Sequence, residues 1–200
     1  MIITDVRPQK KSMVAIYLDG KFASNIDRET FLLSGYKLGS YIEDEDYFKL
    51  VRESNDRRAK EKALYLIEHR DHSSKELFDK IRKTTDAESA KAAVKKMQEV
   101  GLVDDANFAK KYARDLFYRK KYAPKRVEYE LLKKGINKDI IQIVIEEIDV
   151  DSREQIMQLL LGKYKNCLGD EKKLKRTIAS LQRLGHNWDD IKSALNEIRE

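Results

Sequence analysis

Basic side chains concentrate between residues 109 and 134, where ten lysines and arginines stand against three carboxylates and give a local net charge of +7. Cations interleaved with tyrosine are typical of surfaces that neutralise phosphates and stack on unpaired bases. Charge alone is equally compatible with a solvated, lysine-rich helix face, so both interpretations remain open at this point. The candidate binding residues are Lys110, Lys111, Arg114, Tyr118, Lys120, Lys121, Lys125, Arg126, Lys133 and Lys134.

Helical spacing predicts how these side chains are presented. A single helix over about residues 104–119 would carry an apolar stripe on one face and cations on the other. The apolar stripe consists of Phe108, Tyr112 and Leu116. The opposite, polar face consists of Lys110, Arg114, Tyr118 and Lys121.

Two adjacent carboxylates, Asp104 and Asp105, form the sharpest local signal in the sequence. Paired carboxylates can hold a metal ion or perform acid–base catalysis. They can also cap a helix, because the positive end of the helix dipole favours anions. No histidine stands at a suitable spacing, so we favour the capping role, with Phe108 and Ala109 in the core behind it.

Other residues that could bind a metal or a cofactor are sparse. His69 and His72 have an i, i+3 spacing, but two histidines make a weak zinc signal. Cys167 is the single cysteine, which excludes an intrachain disulfide and a cysteine zinc framework. The sequence has no phosphate-binding glycine loop, nucleophile elbow or dinucleotide fingerprint, so we expect no metal, no cofactor and no enzymatic activity.

A second basic cluster occupies residues 172–176 and has the sequence Lys-Lys-Leu-Lys-Arg. By itself this cluster favours a solvated helix face over a binding site. It could extend the first basic stretch if successive helical repeats present their faces in one direction.

The elements that position these residues recur at a spacing of 50. Two stretches fifty residues apart share a glycine, an asparagine, an aspartate and an isoleucine in the same order. Gly135 and Gly185 suit the left-handed conformation that ends a helix, and Asn137 and Asn187 suit the N-cap of the next one. A period of this length is typical of stacked helical repeats.

Further sequence signals mark helix starts and a core position. Thr85 with Glu88 and Ser73 with Glu76 have the spacing of a capping box. Trp188 stands on an apolar stripe with helical spacing, so we expect it in the core.

The sequence therefore predicts a mainly α fold of tandem three-helix repeats in an elongated array, with a small N-terminal β-hairpin region. Asp19-Gly20 between two β-prone runs predicts the hairpin, and residues 2–6 could add a third strand. A long helix is expected over about residues 44–69. The expected domains are an N-terminal hairpin plus helical extension at 1–58 and three-helix repeats at 59–103, 104–149 and 150–200.

Composition limits the function classes further. Charged residues make up 38% of the chain and the formal net charge is +6, which is compatible with nucleic acid or an acidic protein surface as partner. No run approaches the ~18 apolar residues of a membrane span, and the N-terminus has no apolar leader segment. We expect a cytoplasmic protein that does not associate with membranes.

Three stretches resemble signatures of the RecX family. Residues 101–109, GLVDDANFA, are similar to the family's G-hydrophobic-hydrophobic-D-D-x-x-F-A pattern. Residues 125–136 are similar to its R-I-x-x-E-L-x-x-K-G-I stretch, and SKEL at 74–77 is similar to one of its helix starts. The resemblance covers about residues 59–150 directly and residues 151–199 through the repeat, and the N-terminal hairpin resembles an extension seen in some members of the family. Two turns depart from the family pattern, with Ala123-Pro124 and Lys83-Thr84-Thr85 where glycine is common.

The resemblance implies a regulator that binds the RecA–DNA filament and modulates, usually inhibits, the recombinase, ATPase and coprotease activities of RecA. It implies a role in DNA repair, recombination and the SOS response. It also implies contacts with single- and double-stranded DNA that are weak without RecA, and a monomer that has no catalytic activity or cofactor of its own.

Two other hypotheses fit the sequence. Three-helix units can present a recognition helix, so the chain could be a stand-alone DNA-binding protein that acts without RecA. It could also be an interaction scaffold whose charge serves solubility alone. In that case, replacing Lys110, Arg114 and Lys121 by glutamate would leave the activity intact.

Overall fold

The computed structural model describes residues 1–167 and 169–199, and it is mainly helical, which confirms the predicted fold class. The chain divides into two compact units that meet in sequence between Asp104 and Asp105. Among the described residues, buried apolar side chains form successive clusters over residues 3–50, 59–103, 108–148 and 156–195. The boundaries of the extension and of the three repeats remain a prediction.

The first unit begins with a small antiparallel sheet in the order β1-β2-β3, formed by β1 (Ile3–Gln9), β2 (Met13–Leu18) and β3 (Lys21–Asp27). The predicted hairpin joins β2 to β3, and both turn residues, Asp19 and Gly20, have positive φ as that turn requires. The suggested third strand is present as β1 and extends to Gln9.

Helices cover one face of this sheet, because a three-stranded sheet needs an apolar partner to be stable. Helix α1 (Arg28–Leu33) starts at its N-cap Asp27, and the long predicted helix is α2 (Asp44–His69). Phe31 of α1 and Leu50 of α2 are buried together with sheet residues such as Ile16.

The C-terminal half of α2 packs on α3 (Ser74–Ile81) and α4 (Ala87–Glu99). Ser73 caps α3 by accepting a hydrogen bond from the Glu76 amide, as its spacing predicts. The prediction of a capping box at Thr85 is wrong. Asp86 caps α4 by accepting from the Ser89 amide, and Thr85 instead donates its hydroxyl to the Ile81 carbonyl. A carboxylate one residue later outcompetes the hydroxyl.

The second unit contains six helices among the described residues, with one irregular turn. The helices are α5 (Asp105–Arg114), α6 (Pro124–Lys133), α7 (Lys138–Glu147), α8 (Ser152–Leu161), α9 (Glu171–Arg183) and α10 (Trp188–Arg199). The irregular turn is π-helical, covers Asp115–Arg119 and directly follows α5. The two repeated turns have the predicted geometry. Gly135 and Gly185 have φ of 79° and 95°, and the side chains of Asn137 and Asn187 cap α7 and α10.

Trp188 is not in the core, which contradicts the prediction from its spacing. Its exposed fraction is 49%, whereas Ile191 and Leu195 on the same helix are buried. Trp188 is the first residue of α10, and helical spacing is a poor guide to burial at a helix end. Within the described residues, no helix is long and apolar enough to cross a membrane.

Candidate functional site

The predicted cationic helix ends in the π-helical turn over Asp115–Arg119. Helix α5 ends at Arg114, and the amide of Lys120 then donates to the carbonyl of Asp115, an i to i+5 bond. The wider turn lets Leu116 and Phe117 both point into the core, where they are 0% and 1% exposed. Tyr118, which follows them, is exposed.

The shared face predicted for Lys110, Arg114, Tyr118 and Lys121 is therefore wrong at its end. Lys121 lies beyond the helix, has a φ of 56° and is half-buried. Its Nζ donates a 2.7 Å hydrogen bond to Oε1 of Gln158 on α8. Helical spacing cannot predict this position, because the π-helical turn breaks the 100° rotation per residue on which the prediction depends.

Three bonds from the C-terminal part of the second unit hold the chain between Phe117 and Arg126, which we call the basic segment. Nε2 of the buried Gln155 donates to the carbonyl of Phe117 over 2.8 Å. The Ala123 amide donates to the carbonyl of Leu184 over 2.9 Å. The His186 ring lies with Nε2 3.0 Å from the carbonyl oxygen of Lys121.

Gly185 allows the basic segment and the turn after α9 to approach closely. A Cβ atom at Gly185 would lie 2.7 Å from Cβ of Arg126 and 3.3 Å from its backbone nitrogen. Such contacts are too short for any side chain, so only glycine fits here. The same residue ends α9 with a positive φ, so one position satisfies both the helix end and the packing.

Arg126 is the most constrained cation of the basic segment. Its guanidinium pairs with Glu130 over 2.7 Å and lies 5.6 Å from the ring centre of Tyr122 and 5.1 Å from that of Tyr129. Its Nε is buried and has no hydrogen-bond partner. Cation–π contacts and an ion pair fix the direction of the side chain, so Arg126 is a rigid cation.

Lys110 is a predicted binding residue that is partly neutralised within the unit. Lys110 of α5 forms a 2.9 Å ion pair with Glu147 of α7. Nζ of Lys134 lies 5.4 Å from the ring centre of Tyr112. Lys111 and Lys133 are exposed. These lysines therefore lie at the surface, but the ion pair lowers what Lys110 can contribute to an external phosphate.

Three exposed cations of the predicted set, Arg114, Lys120 and Lys125, form no ion pair with any described residue. All three are exposed, and Nζ of Lys120 lies 5.8 Å from the ring centre of Tyr122. They give the basic segment and the end of α5 a surface that carries uncompensated positive charge. Such a surface attracts phosphates by releasing counterions.

The acidic pair stands where the capping interpretation places it. Helix α5 begins at Asp105, directly after Asp104, and Phe108 and Ala109 are buried behind it. Among the described residues, no group of three or more His, Cys, Asp or Glu side chains is arranged to hold a metal ion.

Gln155 and His186 position the basic segment, and sequence reasoning missed both. Burial lowers the pKa of His186, and its Nδ1 has no hydrogen-bond partner. One signal was available, because His186 occupies the position of the buried Ile136 in the repeat. A polar residue at a buried position of a repeat indicates a specific partner.

The chain is similar to known proteins over nearly its whole length. Residues 104–145 match the family model described as RecX, second three-helix domain. The protein named Regulatory protein RecX of Caldanaerobacter subterraneus subsp. tengcongensis is 32% identical over 199 residues, covering 98% of this chain and 99% of that relative. The protein of the same name from Clostridioides difficile is 30% identical, covering 98% and 95%.

Two solved structures share the fold. A crystal structure of a regulatory protein RecX has a TM-score of 0.62 at 20% identity and covers 96% of this chain and 98% of its own. A crystal structure of RecX from Lactobacillus salivarius has a TM-score of 0.58 at 22% identity and covers 72% and 97%. At these identities the likeness shows the fold alone.

Proposed function

The chain belongs to the RecX family of regulatory proteins, and from this premise we propose that it binds the RecA–DNA filament and inhibits the recombinase, ATPase and coprotease activities of RecA. Its regulatory role comes with the family. The proposed part is the identity of the partner, the inhibitory direction of the effect, and a cytoplasmic role in DNA repair and the SOS response.

The observation that carries the proposal is the uncompensated charge at the basic segment. A nucleoprotein filament presents regularly spaced phosphates, and neutralising them with arginine and lysine supplies affinity that falls as salt rises. Arg114, Lys120 and Lys125 are exposed and have no ion pair within the described residues, so they are available for such contacts.

Binding alone accounts for regulation in this proposal, and the chain needs no catalytic group of its own. A protein that binds one state of the filament more tightly than another shifts the equilibrium between them by that difference in affinity. Tandem helical units can also contact successive subunits, and linked contacts raise the effective concentration of each one. We propose that the protein acts as a monomer in this way.

The direct test is ATP hydrolysis by RecA on single-stranded DNA in the presence of the purified protein at stoichiometric ratio. We expect the rate to fall. The triple variant Arg114→Glu, Lys120→Glu and Lys125→Glu should lose this effect. A matched control, Lys10→Glu, Lys21→Glu and Lys37→Glu, changes the net charge equally at exposed lysines of the first unit and should keep it.

A rate that does not change, together with no binding to the filament, contradicts the proposal. The alternative is a stand-alone DNA-binding protein, which the open basic surface also supports. It requires tight, salt-dependent DNA binding without RecA. An affinity for the RecA–DNA filament that is well above the affinity for the same DNA without RecA separates the two functions.

A further inference from the structure

The last helices of the second unit carry a second basic surface. A groove of about 580 Å³ runs between residues 162–167 and α9. Its lining includes Lys163, Lys165, Lys173, Arg176, Ser180 and Arg183. Within this lining, the hydroxyls of Tyr164 and Ser180 lie 2.7 Å apart and join the loop to α9.

A second groove, of about 500 Å³, lies between α6 and α9 and is lined by Lys125, Arg126, Tyr129, Gln182, Arg183 and Gly185. Arg183 lines both grooves, so the cationic lining continues from the loop before α9 to the basic segment. We call the two grooves together the α9 track. No carboxylate lines either groove among the described residues.

The cations of the α9 track are largely uncompensated. Arg176 and Arg183 are exposed and form no ion pair with any described residue, and Lys173 has only a loose contact of 4.0 Å with Asp170. In contrast, Lys175 on another face of the same helix pairs with Glu171 over 2.6 Å. The basic cluster at 172–176 is thus split between the track and other faces of α9.

We propose that the α9 track binds the sugar–phosphate backbone of single-stranded nucleic acid. Lys173, Arg176 and Arg183 share one face of α9, and the ten helical steps from Lys173 to Arg183 correspond to about 15 Å of helix. This length can span several consecutive phosphates of one strand.

The aromatic ring at one end favours an unpaired strand over other polyanions. Tyr129 is 54% exposed beside Arg126 and Lys125, and an exposed ring next to cations is how single-strand binders stack bases. Guanidinium groups also match the planar geometry of phosphate oxygens. The inference deepens the proposed function, because it names the surface that contacts the DNA strand.

The test measures the anisotropy of a fluorescent oligothymidylate with the full chain, without RecA, over a series of salt concentrations. The double variant Arg176→Glu and Arg183→Glu should weaken binding by about tenfold or more. It should also make the slope of log K against log salt concentration less steep by about 1.4, the value for two lost phosphate contacts on a single strand. Lys172→Glu with Lys192→Glu makes the same charge change at exposed residues of the same region outside the track, and should stay within about threefold, because screened charges act only at short range.

The neutral pair Arg176→Gln with Arg183→Gln guards against unfolding, since it removes the contacts without reversing charge. It should also weaken binding, with an unchanged helical circular dichroism signal. Equal weakening by the track pair and the control pair overturns the proposal, and so does no weakening by either. Polyglutamate serves as a competitor that is a polyanion but not a nucleic acid. If it displaces the labelled strand as well as unlabelled oligothymidylate does, the choice of nucleic acid as the ligand is overturned.

The outcome is independent of the RecA experiment. If the track variants bind oligothymidylate more weakly but the unaltered chain does not change ATP hydrolysis by RecA, the inference about the track is supported and the proposed function fails. If the protein inhibits RecA but the track variants bind oligothymidylate as tightly as the unaltered chain does, the proposed function is supported and this inference fails.

Discussion

Nε2 of His186 lies 3.0 Å from the backbone carbonyl oxygen of Lys121, 65 residues earlier in the chain. The bond requires the proton on Nε2, which leaves Nδ1 as a buried acceptor without a partner. Lys121 has a φ of 56°, a conformation that lysine rarely adopts, so the contact stabilises a backbone that local preferences disfavour. The shape of the basic segment thus depends on a neutral histidine in the turn before α10.

Acidification should destabilise the second unit through His186. Burial lowers the pKa of His186, so the unfolded chain binds more protons than the folded protein at acid pH. The free energy of unfolding should be unaffected by this group above about pH 6.5, the ordinary pKa of histidine, and decrease as the pH falls below it. The fluorescence of Trp188, the single tryptophan, reports unfolding at pH 7 and pH 5.

The control for this prediction is His186→Gln, whose Nε2 can donate to the Lys121 carbonyl but does not titrate. Its unfolding temperature should change less between the two pH values. Burial also lowers the pKa of His72 in the first unit. His72→Gln should therefore leave the pH response of the Trp188 signal unaltered. An equal pH response in His186→Gln and the unaltered chain would refute the assignment.

Gly185→Ala should destabilise the second unit by about 2 kcal/mol or more. A left-handed conformation costs a side chain roughly 1–2 kcal/mol, and overpacking against Arg126 adds about 1–3 kcal/mol. Gly101→Ala is the matched control, since Gly101 also has a positive φ of 74° but a Cβ there meets nothing within 4 Å. Urea unfolding of both variants separates the two contributions. If Gly185→Ala lowers the free energy of unfolding no more than Gly101→Ala does, the close approach to Arg126 does not contribute to stability.

Gln155→Leu should cost about 1–3 kcal/mol, because the carbonyl of Phe117 loses its buried donor. Gln158 provides the comparison. It is exposed, its Oε1 accepts from Nζ of Lys121 and its Nε2 donates to Glu154, and both bonds lie at the surface, so Gln158→Leu should cost well under about 1 kcal/mol. We expect Gln155→Leu also to weaken filament binding, since the freed turn no longer fixes Tyr118. Unaltered urea midpoints in both variants would contradict the positioning role.

A charge swap at Lys110 and Glu147 separates stability from binding. Lys110→Glu should lower the free energy of unfolding by at most about 1 kcal/mol, since the pair is exposed. Adding Glu147→Lys should restore stability, because the pair is re-formed with opposite polarity. If Lys110 contacts the filament, the double variant should not regain the affinity lost by Lys110→Glu. Full recovery of affinity would assign Lys110 a structural role only.

Local rules explain the parts of the fold that could be predicted from the sequence. The Asp19-Gly20 turn, the glycines at 135 and 185 and the asparagine caps each depend on the conformational preference of one or two residues. The helix over 44–69 follows from a long stretch without proline or glycine. Such features need no distant partner, so the sequence is sufficient to predict them.

Predictions that depended on regular helical rotation were less successful. The π-helical turn moved Lys121 off the cationic face, and the same spacing argument placed the exposed Trp188 in the core. Asp86 rather than Thr85 caps α4, because two adjacent residues compete for one role. Periodicity describes an ideal helix, and it fails where a helix begins, ends or changes its pitch.

The sequence by itself determined that this chain is a charged helical repeat protein with an N-terminal sheet, and its motifs identified the family. The tertiary structure alone decided which cations are neutralised, and which charges of the 172–176 cluster line the α9 track. It also decided that Gln155 and His186 support the basic segment. The physical reason is that these outcomes depend on atoms brought within 3 Å across 38 and 65 residues of chain, a distance that no local preference encodes.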